Sequence, residues 1–175
     1  MTAKTGGLQK PGWDIPSNYS RLIARELDLT AKQLPRLLQG TGLGITQFLT
    51  EDSLLTATQQ VRILRNALEL SGQPELGLRL GKRLNPATHG AMGFVAYSSA
   101  DLLNALQAIH TFLPTRASFI QLHLQQVDER LECILDFQEL LDDDIQRCFS
   151  DAMVNPSEAR VPLDISRLFV RADSL

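Results

Sequence analysis

The sequence predicts an α+β fold, a mainly helical N-terminal half packed on a small antiparallel β-hairpin or sheet. Apolar residues recur at three- and four-residue steps from Tyr19 to Leu84, which is the period of helices with one buried face. The period drops to two after Pro114. There Ile120, Leu122 and Leu124 alternate with Gln121 and His123, and after a polar connection Leu131, Cys133, Leu135 and Phe137 alternate with Glu132 and Asp136. Between these halves runs Asn85 to Pro114, around which the rest of the chain is arranged: loop signals, then a short apolar run, then an amphipathic helix.

Length and composition agree with this. The chain has 175 residues, 43% hydrophobic and 21% charged, enough to bury a core without metals or disulfides. Its formal net charge of −3 gives no electrostatic footprint for nucleic acid, because a DNA-gripping surface concentrates Lys and Arg. Cys133 and Cys148 are too few for a secreted disulfide framework and read as small core residues. The N-terminus lacks the apolar segment of a signal peptide and no window has the apolar length of a membrane span, so a cytoplasmic protein is expected.

In order, residues 1–15 carry Gly6-Gly7 and Pro11-Gly12 and predict a flexible N-terminal arm; residues 16–154 form the domain; residues 155–175 are a tail without a clear period. Ser17 is a suitable N-cap for a first helix with Tyr19, Leu22, Ile23 and Leu27 on one face. Thr30 and Gln33 have capping-box spacing for a second, short helix with Leu34, Leu37 and Leu38 inward, unless Pro35 is its first residue. The run Gly40-Thr41-Gly42-Leu43-Gly44 reads as a turn, since it lacks the preceding strand and Lys-Ser/Thr ending of a phosphate loop.

Thr56 and Gln59 repeat the capping box before a long helix to Ser71, with Ala57, Val61, Leu64 and Leu68 as its buried stripe and Gly72 as its end. Gln73-Pro74 starts another helix that turns Leu76, Leu80 and either Leu84 or Leu78 inward. Its Arg79, Lys82 and Arg83 suit the negative end of the helix dipole. The run Phe94–Tyr97 is short enough to be strand or helix, and the central helix is predicted to begin at Ser98-Ser99, with capping-box spacing from Ser98 to Asp101. Along it Leu102, Leu103, Leu106, Ile109, His110 and Leu113 share a face. Asp142, Asp143 and Asp144 open a last helix, where carboxylates favour the positive end of the dipole; they do not read as a metal shell.

No catalytic motif of the GxSxG, HExxH or CxxC type occurs, so neither an enzyme nor a metal or cofactor site is expected. The candidate ligand-binding residues are His89, Phe94, Tyr97, Ser98, His110 and Arg116. His89 can hydrogen-bond a ligand or simply its own turn; His110 sits at the edge of an apolar stripe, where a packed histidine is the commoner role. Tyr97 and Ser98 precede a helix whose free N–H groups favour an anion or a polar ligand end, although a serine there can also simply cap. Arg116 offers a fork of donors to a carboxylate.

Four blocks in succession, Tyr19 to Leu27 (YSRLIAREL), Leu37 to Leu43 (LLQGTGL), Asn66 to Leu84 (NALELSGQPELGLRLGKRL) and His89 to Leu106 (HGAMGFVAYSSADLLNAL), resemble the N-terminal regulatory domain of AraC/XylS-type bacterial transcription regulators. The resemblance is to the subgroup labelled arabinose-binding domain and covers about residues 16 to 153. It implies a bacterial effector-sensing and dimerisation domain: a small-molecule effector, a homodimer, and no contact with a membrane. It also implies that DNA is reached only through a C-terminal helix-turn-helix unit, before which this chain stops. The alternative is a structural dimerisation or interaction module, or a truncated remnant, that has no ligand.

Overall fold

The computed structural model describes residues 15–127, 130–137, 142–154 and 170–172. The residues expected to form the arm thus fall outside the described residues up to position 14, and those of the tail do so apart from 170–172. Ile15 belongs to the body: strand β1 (Ile15–Pro16) pairs antiparallel with β2 (Leu54–Leu55), and Ile15 and its partner Leu55 are both buried.

Helix α1 (Asn18–Glu26) turns Ile23 and Ala24 into the core, with Tyr19, Leu22 and Leu27 half-buried beside them. Ser17 does not cap it. Its backbone N–H donates to the Ser53 carbonyl at 2.9 Å and its hydroxyl accepts from Ser53 at 2.7 Å, so the serine fastens α1 to the approach to β2. Helix α2 (Leu34–Leu37) carries Pro35 in its first turn, where a missing N–H costs no helical bond. Ahead of it Gln33 Oε1 accepts from the Thr30 N–H and hydroxyl at 3.0 and 2.8 Å, so the capping pair closes a turn rather than the helix. The sequence reading had no counterpart for α3 (Ile45–Leu49), a single turn that buries Phe48 completely.

Helix α4 (Ala57–Ser71) begins on the expected capping box, with Thr56 N–H on Gln59 Oε1 at 3.0 Å and Gln59 N–H on Thr56 Oγ1 at 3.2 Å, and Gly72 ends it. Its buried face is rotated from the expected stripe. Ile63, Leu64 and Ala67 are inside with Gln60 and Asn66, whereas Ala57, Val61 and Leu68 are half-buried. The two amides are drawn inward by partners: Ser20 donates to Gln60, and Asn66 donates to the Leu37 and Gln39 carbonyls at 2.8 Å each.

Helix α5 (Leu76–Arg83) buries Leu76 and Leu80, leaves Leu84 half-buried at its end and exposes Leu78. Two of its basic residues have an internal use beyond the helix dipole. Arg79 Nε and Arg83 Nε reach the two carboxylate oxygens of Glu26 at 2.6 and 2.7 Å, and that carboxylate is only 6% exposed. The pair of arginines ties α5 to α1.

The Met92–Tyr97 run is helical, within α6 (Ala91–Tyr97), not a strand. The central helix, α7 (Leu102–Phe112), starts later than expected because Asp101, not Ser98, caps it: Asp101 Oδ1 accepts from the Asn104 N–H at 2.8 Å. Ser99 instead donates back to the Val95 carbonyl at 2.9 Å, at the end of α6. No residue of α7 is fully buried; Leu106 and Ile109 pack on the core while Leu103 and His110 are exposed.

The hairpin is as expected. Strands β3 (Ile120–Val127) and β4 (Arg130–Phe137) pair antiparallel with Leu122 opposite Leu135 and Leu124 opposite Cys133, and Val170–Ala172 (β5) adds to β4 in parallel. The acidic cluster leads into α8 (Asp143–Val154): Asp142 Oδ1 accepts from the Ile145 N–H at 3.0 Å and Oδ2 pairs with Arg65 at 2.6 Å. Helix α7 packs on β3 and α8 packs on α5. That second contact is close. A Cβ at Gly77 would lie 2.4 Å from the Cys148 carbonyl oxygen. Gly77→Ala should therefore lower the unfolding free energy by about 1–3 kcal/mol despite the better helix propensity of alanine. Urea denaturation with an unchanged or raised midpoint would show that α5 and α8 are not in contact at this point.

Candidate functional site

A cavity of about 420 Å³ lies where these layers meet. Its wall draws on α1, α4, α5, α6, α7, the start of β3 and α8. Most of it is apolar: Leu22, Leu64, Leu80, Met92, Ile109 and Phe119 supply aliphatic and ring surface, with Phe149 edge-on to Phe119 at 5.2 Å. Cys148 also faces it, and burial together with the nearby Asp151 pushes that thiol up to about 12, so it is a neutral, unreactive wall group.

The polar groups gather at one end. A tight turn, Pro86–His89, is closed by Asn85 and Thr88, whose side chains and backbone N–H groups bond reciprocally at 3.0 and 3.3 Å. Helix α6 lies directly on it, since a Cβ at Gly93 would come within 2.0 Å of the Pro86 carbonyl oxygen. The turn presents His89 to α1, where Tyr19 Oη meets His89 Nδ1 at 3.0 Å, and Asn18 holds the Thr88 carbonyl at 2.8 Å. From the other side Arg116, just after α7, donates to Tyr19 Oη at 3.4 Å and to the Thr88 carbonyl at 3.3 Å, with its guanidinium carbon 5.6 Å from the tyrosine ring centroid.

Burial raises the Tyr19 pKa, partly offset by the hydrogen bond and charge of Arg116. Burial, and then the charge of Arg116, lowers that of His89. Both are neutral at neutral pH. Arginine can only donate, so Tyr19 Oη accepts from it while sharing a second hydrogen bond with His89 Nδ1.

Of the residues singled out in the sequence, His89, Tyr97 and Arg116 line this cavity. Phe94 and Ser98 are exposed and outside its lining, and His110 turns to the hairpin, where its Nδ1 meets the Leu122 carbonyl. The sequence reading missed Tyr19, Gln60 and Asn85 as lining residues. Tyr19 stood on the buried face of the first helix, but nothing local linked it to a histidine 70 positions away.

A family model described as the N-terminal arabinose-binding domain of AraC transcription regulators matches residues 33–164. The ornithine utilization regulator of Pseudomonas aeruginosa is 39% identical over 67 residues, which are 38% of this chain and 20% of that protein. The chain thus matches about a fifth of that relative's length.

The lowered pKa of His89 predicts a pH dependence. Below its ordinary value of 6.5 the unfolded chain binds a proton there that the folded one resists, so stability is lost as pH falls from about 6.5 toward the folded value. His89→Gln should flatten the loss between pH 7 and 5. Urea midpoints that fall equally steeply in both proteins would place His89 in water.

Proposed function

The chain belongs to the family of arabinose-binding domains of AraC transcription regulators, and from that premise we propose that it senses a small metabolite in the cavity between its helices and hairpin. One observation carries the reading: a mostly apolar cleft of about 420 Å³, half open to solvent, with Tyr19, His89 and Arg116 hydrogen-bonded together in its lining. Such a volume suits a small organic ligand, and the grouped polar atoms would orient it. His89, Tyr97 and Arg116 are the proposed contacts from the sequence, joined by Tyr19. The wall comes from several elements that a bound molecule would draw together, which is how occupancy can be passed to the rest of a regulator.

We further propose that the domain forms a homodimer. Phe94, Val95 and Tyr97 on α6 and Leu103 and Phe112 on α7, two helices packed together, expose large apolar side chains. Promoter contact is assigned to a separate helix-turn-helix unit of the regulator, which accords with the net charge of −3. Among the described residues no helix is long and apolar enough to cross a membrane.

A ligand that binds only the folded state at about a hundredfold over its Kd adds roughly 2.7 kcal/mol to stability. Thermal denaturation against a panel of sugars, amino acids, aliphatic acids and aromatic acids should therefore yield at least one class with a raised Tm. A panel without any shift at millimolar concentration would contradict the sensor reading. Light scattering should give twice the chain mass, moving to the single-chain mass in Leu103→Asp; a monomeric parent protein would remove the dimer.

A further inference from the structure

The charges around the cavity do not balance, and the imbalance describes the ligand. Arg65, Arg79, Arg83 and Arg147 each reach a carboxylate within ion-pairing distance; among the described residues Arg116 does not, nor do Arg21, Arg25, Arg36 and Arg62, but of these five Arg116 alone lines the cavity. Its two hydrogen bonds go to uncharged atoms, Tyr19 Oη and the Thr88 carbonyl, and both are long at 3.4 and 3.3 Å. A guanidinium has five donors in a rigid fork, so most of its capacity is unused. The Tyr19 ring lies beside it, and Gly90 leaves it room, since a Cβ there would only touch its nearest nitrogen at 3.6 Å.

The rest of the lining is equally informative. Among the described residues it contains no aspartate and no glutamate. An ammonium group inside would give up part of its water without meeting a carboxylate among the described lining residues, which is unfavourable. The polar groups of the wall are few and lie toward the Tyr19–His89–Arg116 end and Gln60, whose oxygen is already taken by Ser20. A sugar, with a hydroxyl on nearly every carbon, would leave most of them unbonded against leucine and phenylalanine.

We propose that the ligand of this cavity is a monocarboxylate with an uncharged, apolar body, its carboxylate paired with Arg116 and its body lying along Leu22, Leu64, Ile109 and Phe119. This rests on the sensor reading and narrows it to a chemical class. Arg116 supplies two parallel N–H donors to the two carboxylate oxygens. The neutral Tyr19 hydroxyl can add a third by turning its hydrogen to the incoming anion. Medium-chain alkanoates and arylalkanoates fit the description; free amino acids, diamines and sugars do not.

The test compares three molecules of one length on the full chain by isothermal titration: octanoate, octanamide and 8-aminooctanoate. Octanoate should bind at least tenfold more tightly than either of the others. Arg116→Met should abolish the preference for octanoate over octanamide, and a cooperative thermal transition like that of the parent protein shows that the variant is folded. Should that variant fail to fold, the ratio of octanoate to octanamide on the parent protein decides alone. The proposal is overturned by equal binding of octanoate and octanamide, by an 8-aminooctanoate that binds as tightly as octanoate, or by undiminished octanoate binding to Arg116→Met. It is overturned as well if none of the three binds. In that case a sugar or amino acid that raises Tm in the panel above would keep the sensor and discard the carboxylate, whereas a silent panel would discard both.

Discussion

The Glu26 carboxylate sits at the joint between α1 and α5, and the position of the cavity follows from how it is neutralised. At 6% exposure it has lost most of its water, and such a group is tolerated only if cations replace the lost solvation. Arg79 and Arg83 do this from consecutive turns of α5, each on its own oxygen. That fixes the rotation of α1 against α5, and with it the direction of Tyr19, two turns upstream, toward the interior. On its far side α5 is fixed by Gly77, which lets α8 come into backbone contact. The helices forming one wall of the cavity are thus set by a charge pairing on one side and a missing side chain on the other.

Opposite them the wall consists of α6, α7 and the first residues of β3, held at a distance by the turn at Pro86–His89. A mostly apolar cleft that its own side chains do not fill is a cost to the fold, since its lining faces water instead of apolar partners. A ligand that fills it supplies those partners and stabilises the domain. The same reasoning applies to charge. Glu26 has its two cations, while Arg116 at the mouth of the turn meets only a phenol and a carbonyl. Among the described residues that line the cavity, Arg116 is the one guanidinium, and it meets no carboxylate there.

Much of the fold was legible because its signals are local. The Thr56–Gln59 box, the Gly72 terminus, the alternation on either side of residues 128–129 and the acidic start of α8 each lie within a few residues of what they specify. The errors at α4 and at Ile15 arose where a longer-range partner decided the outcome, whereas that at α7 was a choice between neighbouring caps. Gln60 and Asn66 turned the face of α4 because Ser20 and the carbonyls of Leu37 and Gln39 were waiting for them. Asp101 displaced Ser98 as the cap of α7 because a carboxylate can accept from both the N–H and the side-chain amide of Asn104. Ile15, at the boundary of a glycine- and proline-rich segment, is buried because Leu55 lies opposite it, which no local pattern announces. The cavity was half legible: His89, Tyr97 and Arg116 stood out as chemistry near a helix, while Tyr19, 97 residues from Arg116, became part of it only through packing.

The most direct test of the account is a crystal structure of the chain grown with octanoate. The account predicts density for the whole molecule inside the cavity, its chain against Leu64, Ile109 and Phe119 and its carboxylate within hydrogen-bonding distance of the Arg116 guanidinium. A cavity closed by its own side chains, or an octanoate lying there with its carboxylate turned away from Arg116, would contradict it.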